Sequence, residues 1–389
     1  MNKYLQYLKG DKVIWIITLI LLGFSLVSVY SFVPILVKIE GGTPFKYLFK
    51  HFIYVVLGLF AMFYMHRKDP AQFSKFSKLI YYASIMMLLF TFFFGKQVNG
   101  AGRWIKIPFI GLTFQSSDFA KLGLMIILSI RLVKKKDQFN SWKRGAIPVF
   151  LPIIMICGLI FKDNFSTAAL LFGISFLLLF VARFPFSKMF TVMGVGLGLA
   201  ALVVTLHVSM PSLNILPRYE TWKNRITNKM EEDSKKVDLV ANAQSINAKI
   251  AIDEGGVFGK GVGDGKLKEY LPEAYADFYY SSFVEEFGSS FAIFLVFTYS
   301  ILFFRIIRIG LRSEKLFETY VCIGIGILLI TQAVVNMMVC TGIFPVTGQN
   351  MPLLAMGGSA LIMTCIALGI VQSIAFRLQK HAAALDEGN

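Results

Sequence analysis

Charge is scarce in this chain. Asp, Glu, Lys and Arg make up 16% of its 389 residues, against about 25% in soluble domains, which excludes an ordinary soluble fold. Acids are scarcer still, 23 against 39 Lys and Arg. Only four cysteines occur, Cys157, Cys322, Cys340 and Cys365. All fall inside apolar stretches, which excludes a disulfide framework or a spaced zinc site. Internal repeats and low-complexity tracts are absent. No small-residue cleavage site follows the first apolar stretch, which reads as an uncleaved anchor.

What is abundant is apolar surface. Hydrophobic residues make up 56%, aromatic residues 15%, and the mean hydropathy is +0.65. A membrane-spanning helix needs about 20 mostly apolar residues. Candidate stretches lie near Val13–Val33, Phe52–Met65, Leu79–Phe94, Phe119–Leu132, Ile147–Phe161, Thr167–Val181, Phe190–Val208, Phe283–Ile306, Thr319–Cys340 and Leu353–Phe376. The expectation is an all-α integral membrane protein of about ten transmembrane helices, one membrane domain over residues 1–389. One long loop, residues 209–282, separates spans seven and eight.

The net charge of +16 would suit a nucleic-acid ligand, but its distribution points elsewhere. Lys3, Lys9 and Lys12 precede the first span. Arg67, Lys68, Lys75 and Lys78 share one connection, Arg131, Lys134, Lys135, Lys136, Lys143 and Arg144 the next but one. Arg305, Arg308, Arg312 and Lys315 follow span eight, and Arg377 and Lys380 follow span ten. Basic clusters on alternate connections mark the cytoplasmic side and meet anionic lipid there. Both termini are therefore expected in the cytoplasm, the long loop outside, and no nucleic acid is implied. Residues Met1–Lys9 read as a short interfacial helix.

The long loop carries ten basic and eleven acidic residues, and is nearly neutral. Its stretch Ala241–Asp253 has the pattern of an amphipathic helix on or re-entering the membrane, ended by Gly255 and Gly256. The glycines at 255, 256, 259, 261, 263 and 265 invite a phosphate-loop reading, but Lys260 is followed by Gly261 rather than Ser or Thr, and no strand precedes the run. A flexible hinge or a backbone packed close against a span fits them better.

Asp277 lies where span eight enters the membrane. It is either the N-cap of that helix or a carboxylate at a membrane-edge cavity able to take a proton from a sugar hydroxyl. Glu285 and Glu286 lie deeper, and the cost of burying charge in a span predicts that one of them faces the protein interior. Asp118 and Lys121, spaced i, i+3 on span four, read as an ion pair lining a groove or as a cap beside a snorkelling lysine. Asn99, Arg103, Trp104 and Lys106 lie just upstream; an arginine there suits a pyrophosphate or lipid headgroups. Gln332 and Asn336 form an i, i+4 polar pair expected to bond a neighbouring helix. Met337 and Met338 read as packing residues. The charge-free connection with Pro345, Gly348, Pro352, Gly357 and Gly358 reads as re-entrant or as a tightly packed cap.

Four blocks resemble the SEDS proteins, the FtsW/RodA group of bacterial peptidoglycan glycosyltransferases. They are Asn99-Gly100-Ala101-Gly102-Arg103-Trp104-Ile105 with Phe114-Gln115 and Asp118…Lys121; Gly255-Gly256…Gly259-Lys260-Gly261-Val262-Gly263; Tyr270-Leu271-Pro272-Glu273…Asp277-Phe278 with Glu285-Glu286…Gly288; and Gln332…Asn336 with Pro345-Val346-Thr347-Gly348, Pro352 and Gly357-Gly358-Ser359. The resemblance implies a processive polymerase that joins the disaccharides of lipid II in the outer leaflet and releases undecaprenyl diphosphate. It places the essential acid of the Pro-Glu-x-x-x-Asp-Phe block at Asp277. It also implies a class B penicillin-binding transpeptidase as partner, with other divisome proteins, and a divalent cation such as Mg²⁺, whose ligands it leaves unknown. Departures are Asp118 for the usual glutamate, Ser116 for proline, Asn164 for aspartate, and Ala355-Met356 for Ser-Tyr.

The expected activity is thus polymerisation of lipid II at the bacterial cytoplasmic membrane. Asp277 is the candidate catalytic base. Arg103, Lys121, Asp118, Asn99, Glu273, Gln332, Asn336 and Ser359 are the candidate substrate-binding residues. The Gly261–Tyr270 segment and the Asn-Ala-Gln-Ser-Ile-Asn run at 242–247 favour a septal role in cell division over a RodA-type elongation role. A lipid II flippase would be expected to show repeat symmetry and a buried ionisable path, and neither is evident. A non-catalytic scaffold for a transpeptidase is the third alternative.

Overall fold

The computed structural model describes residues 8–98, 101–106, 113–162, 164–210, 239–271 and 274–386. The expected helix Met1–Lys9 lies largely outside them, as do Asn99, Glu273 and the charged stretch Thr227–Asp238. Among the described residues, eight helices are long and apolar enough to cross a membrane. Four of them open or close the chain order: α1 (Lys12–Glu40), α2 (Pro44–Met65), α11 (Leu316–Cys340) and α12 (Gly358–Asp386). Between them run α3 (Pro70–Lys75), α4 (Ser77–Phe94), α5 (Ser116–Lys134), α6 (Ile147–Phe161), α7 (Phe165–Val181), α8 (Phe186–Ser209), α9 (Leu239–Glu254) and α10 (Tyr279–Leu311). Most outrun the apolar stretches read from sequence, taking in polar residues at their ends.

The helix starts follow local chemistry. Asp11 caps α1, its carboxylate accepting from the amides of Val13 at 2.9 Å and Ile14 at 3.2 Å. Pro44 and Pro70 sit in the first turns of α2 and α3, where a missing N–H costs nothing. Asn164 caps α7, accepting from Thr167 N at 3.1 Å. Asparagine and aspartate cap about equally well, so that departure from the family pattern leaves the helix start intact.

Helix α5 runs through the middle of the bundle, with nearly every residue buried. It carries Asp118, Lys121, Arg131 and Lys134, and does not qualify as a span by composition alone. Helices α4, α6, α7, α11 and α12 pack around it, which is how charged residues near its ends are accommodated. Helix α8 is the opposite case: only Lys188 and Met189 are buried, and its apolar side chains face outward.

The connection between α4 and α5, rich in glycine and aromatic residues, holds a small antiparallel sheet: β1 (Lys96–Val98), β2 (Ala101–Lys106) and β3 (Thr113–Gln115) in that order. Trp104 pairs with Gln115 and Ile105 with Phe114. Tyr54 of α2 holds its edge, exchanging hydrogen bonds with Thr113 N at 2.9 Å and Thr113 O at 3.2 Å.

Gly10 and Asp11 are hydrogen-bonded to Gln379 and Gln372 of α12, and Asp11 is ion-paired with Arg305 near the end of α10. Both described chain ends therefore sit at one end of the bundle. Tyr279 opens α10 and Arg305 lies in its last two turns, on the far side of the break at Gly288. Helix α10 is among those long and apolar enough to cross a membrane, so the turn that precedes Tyr279 lies at the end away from Arg305.

Candidate functional site

The approach to Asp277 is built from the glycine run, and it is not a loose hinge. Helix α10 breaks at Gly288, whose φ of 82° and ψ of 172° are non-helical. The break leaves backbone groups without helical partners, and the glycine run supplies them. Lys260 N donates to Glu285 O at 2.9 Å and Gly261 N to Glu286 O at 3.0 Å; Ser289 N donates to Gly256 O at 2.9 Å and Ser290 N to Val257 O at 3.2 Å. A Cβ on Gly259, whose φ is +78°, would stand 2.2 Å from Glu286 O, and one on Gly288 would stand 2.4 Å from Gly259 N. Two backbones interlock where no side chain fits.

Both glutamates of the span are buried, not one as the sequence suggested. Glu285 accepts from Lys266 N at 2.8 Å and Leu267 N at 3.0 Å. Glu286 pairs with Lys268 at 2.5 Å and also accepts from Ser31 of α1. Lys268 sits on a short 3₁₀ turn, Leu267–Tyr270, just before the segment that carries Asp277. Helix α9 joins this assembly through Ala248 and Ala251, both fully buried, while Ile246 and Ile250 are exposed. Ala248 and Ala251 face the protein and Ile246 and Ile250 face outward, with Ile252 half-buried against the core, which suits a helix lying on lipid.

Asp277 is half-buried in the turn that precedes α10. The N-cap of α10 is Phe278, with no side-chain cap bond, so the capping role does not fall to Asp277. Asn336 of α11 holds the turn. Its Nδ2 donates to Asp277 O at 3.0 Å, Ala276 O at 3.3 Å and Gln349 O at 2.9 Å, and its Oδ1 accepts from Tyr280 N at 3.3 Å. Gln349 in turn donates to Thr167 Oγ1 at 2.7 Å. A Cβ built on Gly348 would lie 3.5 Å from Asp277 Oδ2, so the carboxylate faces the backbone of the Pro345–Pro352 connection. That connection is the tightly packed cap foreseen: Thr347, Gln349, Met351, Leu353 and Leu354 are buried. Gln332, buried a turn deeper on α11, adds no hydrogen bond to this network.

The second polar group lies at the start of α5. Asp118 Oδ1 pairs with Lys121 at 2.8 Å, Asp118 Oδ2 accepts from Ser359 Oγ at 2.8 Å, and Ser359 Oγ accepts from Gln115 N at 3.2 Å. Lys121 is buried and paired, which decides against the snorkelling reading. The two groups are neighbours: Met356 N donates to Tyr275 O at 2.9 Å, and Ser359 follows Met356 by three residues, at most about 10 Å of chain. Arg103 lies on β2; its side chain lies outside what the structure describes. Of the predicted residues, Asp277 and Asn336 meet in one cluster, and Asp118, Lys121 and Ser359 in a second beside it. Sequence reasoning missed the part played by Gln349, Thr167 and Tyr280; Gln349, a polar residue between Gly348 and Asn350 in a charge-free connection, was the one available signal.

Among the described residues, no three His, Cys, Asp or Glu side chains gather into a group able to hold a metal ion. The described side chains therefore do not build a metal cage of their own.

A bundle of apolar helices, eight of them among the described residues long and apolar enough to cross a membrane, defines a multi-pass integral membrane protein. The chain belongs to the FtsW/RodA/SpoVE family, described as cell cycle protein, whose model matches residues 11–380. A probable peptidoglycan glycosyltransferase FtsW of Trichlorobacter lovleyi is 30% identical over 383 residues, 97% of this chain and 96% of that protein. Stage V sporulation protein E of Bacillus subtilis is 29% identical over 370 residues, 94% of this chain and 96% of that one. A chain solved in work on the structural coordination of polymerization and crosslinking by a peptidoglycan synthase complex shares the fold, with TM-score 0.71 and 22% identity over 95% of this chain and 98% of that chain. The rod shape determining protein RodA of Thermus thermophilus gives TM-score 0.64 and 22% identity over 94% of this chain and 96% of that chain.

Proposed function

We propose that this chain is a peptidoglycan glycosyltransferase that polymerises lipid II at the outer face of the bacterial cytoplasmic membrane, in septal wall synthesis. The observation that carries the reading is Asp277: a half-exposed carboxylate, fixed by its backbone to Asn336, in a chain that the family matches almost from end to end. The relatives named as peptidoglycan glycosyltransferases supply the reaction class, and their FtsW name supplies the septal role.

In this reading Asp277 takes the proton from the 4-hydroxyl of the acceptor's N-acetylglucosamine. The hydroxyl oxygen forms a bond to C1 of the donor sugar, the bond from C1 to the pyrophosphate oxygen breaks, and undecaprenyl diphosphate leaves. Lys121 and Arg103 are our candidates for meeting the pyrophosphate charge, with Asp118 and Ser359 fixing the lysine. No described cluster of side chains fits the divalent cation that the resemblance implies, and the proton transfer does not involve it. In this reading Asp11, Arg305 and Arg377 face the cytoplasm, in line with the basic connections. A class B penicillin-binding transpeptidase is the proposed partner, which the likeness to a chain of a peptidoglycan synthase complex supports.

The test uses the purified complex with a class B transpeptidase and lipid II. A positioned general base contributes roughly 10²–10⁴-fold, so Asp277→Asn should reduce glycan polymerisation by that factor or more while complex formation is retained. Wild-type polymerisation by Asp277→Asn would refute the base assignment. Movement of lipid II across vesicles without polymer would favour a flippase.

A further inference from the structure

We infer that Asn336 is the positioning residue of the reaction: it sets where the Asp277 carboxylate stands relative to the Pro345–Pro352 connection. The inference rests on Asp277 being the base. Sequence reasoning made Asn336 a ligand of the substrate, but its amide is already committed. The two Nδ2 protons are shared among the carbonyls of Ala276, Asp277 and Gln349, Oδ1 takes Tyr280 N, and the side chain is 1% exposed. It has nothing left to offer a sugar or a phosphate.

What it joins is specific. Asp277 O lies on the backbone of the acid itself. Gln349 O belongs to the residue after Gly348, against which the Asp277 carboxylate rests. Tyr280 N is the third amide after the acid, in the first turn of α10. One amide thus ties the acid, the wall it faces and the helix that follows to a single point on α11. Only an amide donates to the carbonyls and accepts from an N–H at the same place. A carboxylate there would face three carbonyl oxygens, and an apolar isostere would orphan all of these backbone groups. Misplacing a reacting group by about 1 Å costs on the order of 10²-fold in rate, and such a shift would leave substrate contacts elsewhere intact.

Initial polymerisation rates of the complex with its transpeptidase, measured against lipid II concentration and pH, test this for Asn336→Leu, Asn336→Asp, Asp277→Asn and Val339→Ala. Both Asn336 variants should lose about 10²-fold in kcat with KM for lipid II within about twofold. In Asn336→Asp the buried acid, facing three carbonyl oxygens, should stay protonated, so the acid limb of the pH–rate profile should keep its place. Val339→Ala, a buried truncation one turn along α11, should lower thermal stability without changing kcat of the folded protein. Where Asn336→Leu fails to accumulate, the isosteric Asn336→Asp carries the test. Wild-type kcat in either Asn336 variant beside an inactive Asp277→Asn, or a loss confined to KM, overturns the positioning role and leaves the base assignment standing. Full activity in Asp277→Asn overturns both.

Discussion

The ion pair between Lys268 and Glu286 bears most directly on how the segment that leads to Asp277 is held. The two side chains are 4% and 2% exposed and 2.5 Å apart, and each also bonds Ser31. An exposed pair of this kind is worth about 0–1 kcal/mol. Removing one partner of a buried pair instead costs about 3–5 kcal/mol, because the charge left behind has lost its water and its counter-ion. Lys268→Met and Glu286→Leu are therefore each expected to destabilise by about 3–5 kcal/mol. The double variant leaves no charge behind, and well-packed apolar replacements of buried pairs are often neutral; it should be more stable than either single variant. Thermal and denaturant unfolding of the three variants in one detergent, followed by tryptophan fluorescence, reads this order. A double variant that loses as much as the two singles added together would show that the pair is not desolvated as a unit, and the reasoning fails. Lys268 precedes Asp277 by nine residues on a segment fastened to α10, so polymerisation by the single variants should fall with stability and recover in the double.

Two further expectations follow from close contacts. Gly256 and Gly259 both have positive φ, 53° and 78°, so Ala at either pays a left-handed penalty of about 1–2 kcal/mol; a Cβ at 256 meets nothing within 4 Å, whereas one at 259 collides with Glu286 O. Gly259→Ala should thus lose clearly more thermal stability than Gly256→Ala, and equal losses would mean that the interlock yields. Ser359→Ala leaves Asp118 Oδ2 and Gln115 N without their partner, at about 1–3 kcal/mol for an orphaned buried group; an unfolding midpoint unchanged from wild type would show that water replaces the hydroxyl.

Much of the fold was legible because the bilayer enforces it. Every backbone group in a span must be satisfied within the helix, so a run of apolar residues such as Val13–Val33 leaves little choice but a helix, and basic residues mark its ends. The i, i+3 spacing of Asp118 and Lys121 was legible for the same reason: once the helix is given, the two side chains share a face, and they are paired. The sheet at Lys96–Gln115 was not. Two of its strands have three residues each, too few to show a period of two, and its pairing depends on Tyr54 from another helix.

The glycine run shows where reading a chain residue by residue fails. Glycine at a position reports only that a side chain is unwelcome; whether the cause is a turn, a hinge or a second backbone depends on what lies opposite. Here the opposite party is Val284–Ser290, inside a span, where one glycine does not tell a break at Gly288 from close packing of an unbroken helix. The same holds for Asn336. With Gln332 it forms a polar pair on one helix face, and nothing in that pattern separates the two; they differ because the carbonyls of Ala276, Asp277 and Gln349 converge on one and not the other. In each case the decisive partner is backbone, and backbone looks alike at every position of a sequence. Asp277 was found because its own block resembles a known one. Asn336 and Gly348 lie in resembling blocks too, but their part was not legible, since what they recognise is chain geometry rather than side-chain identity.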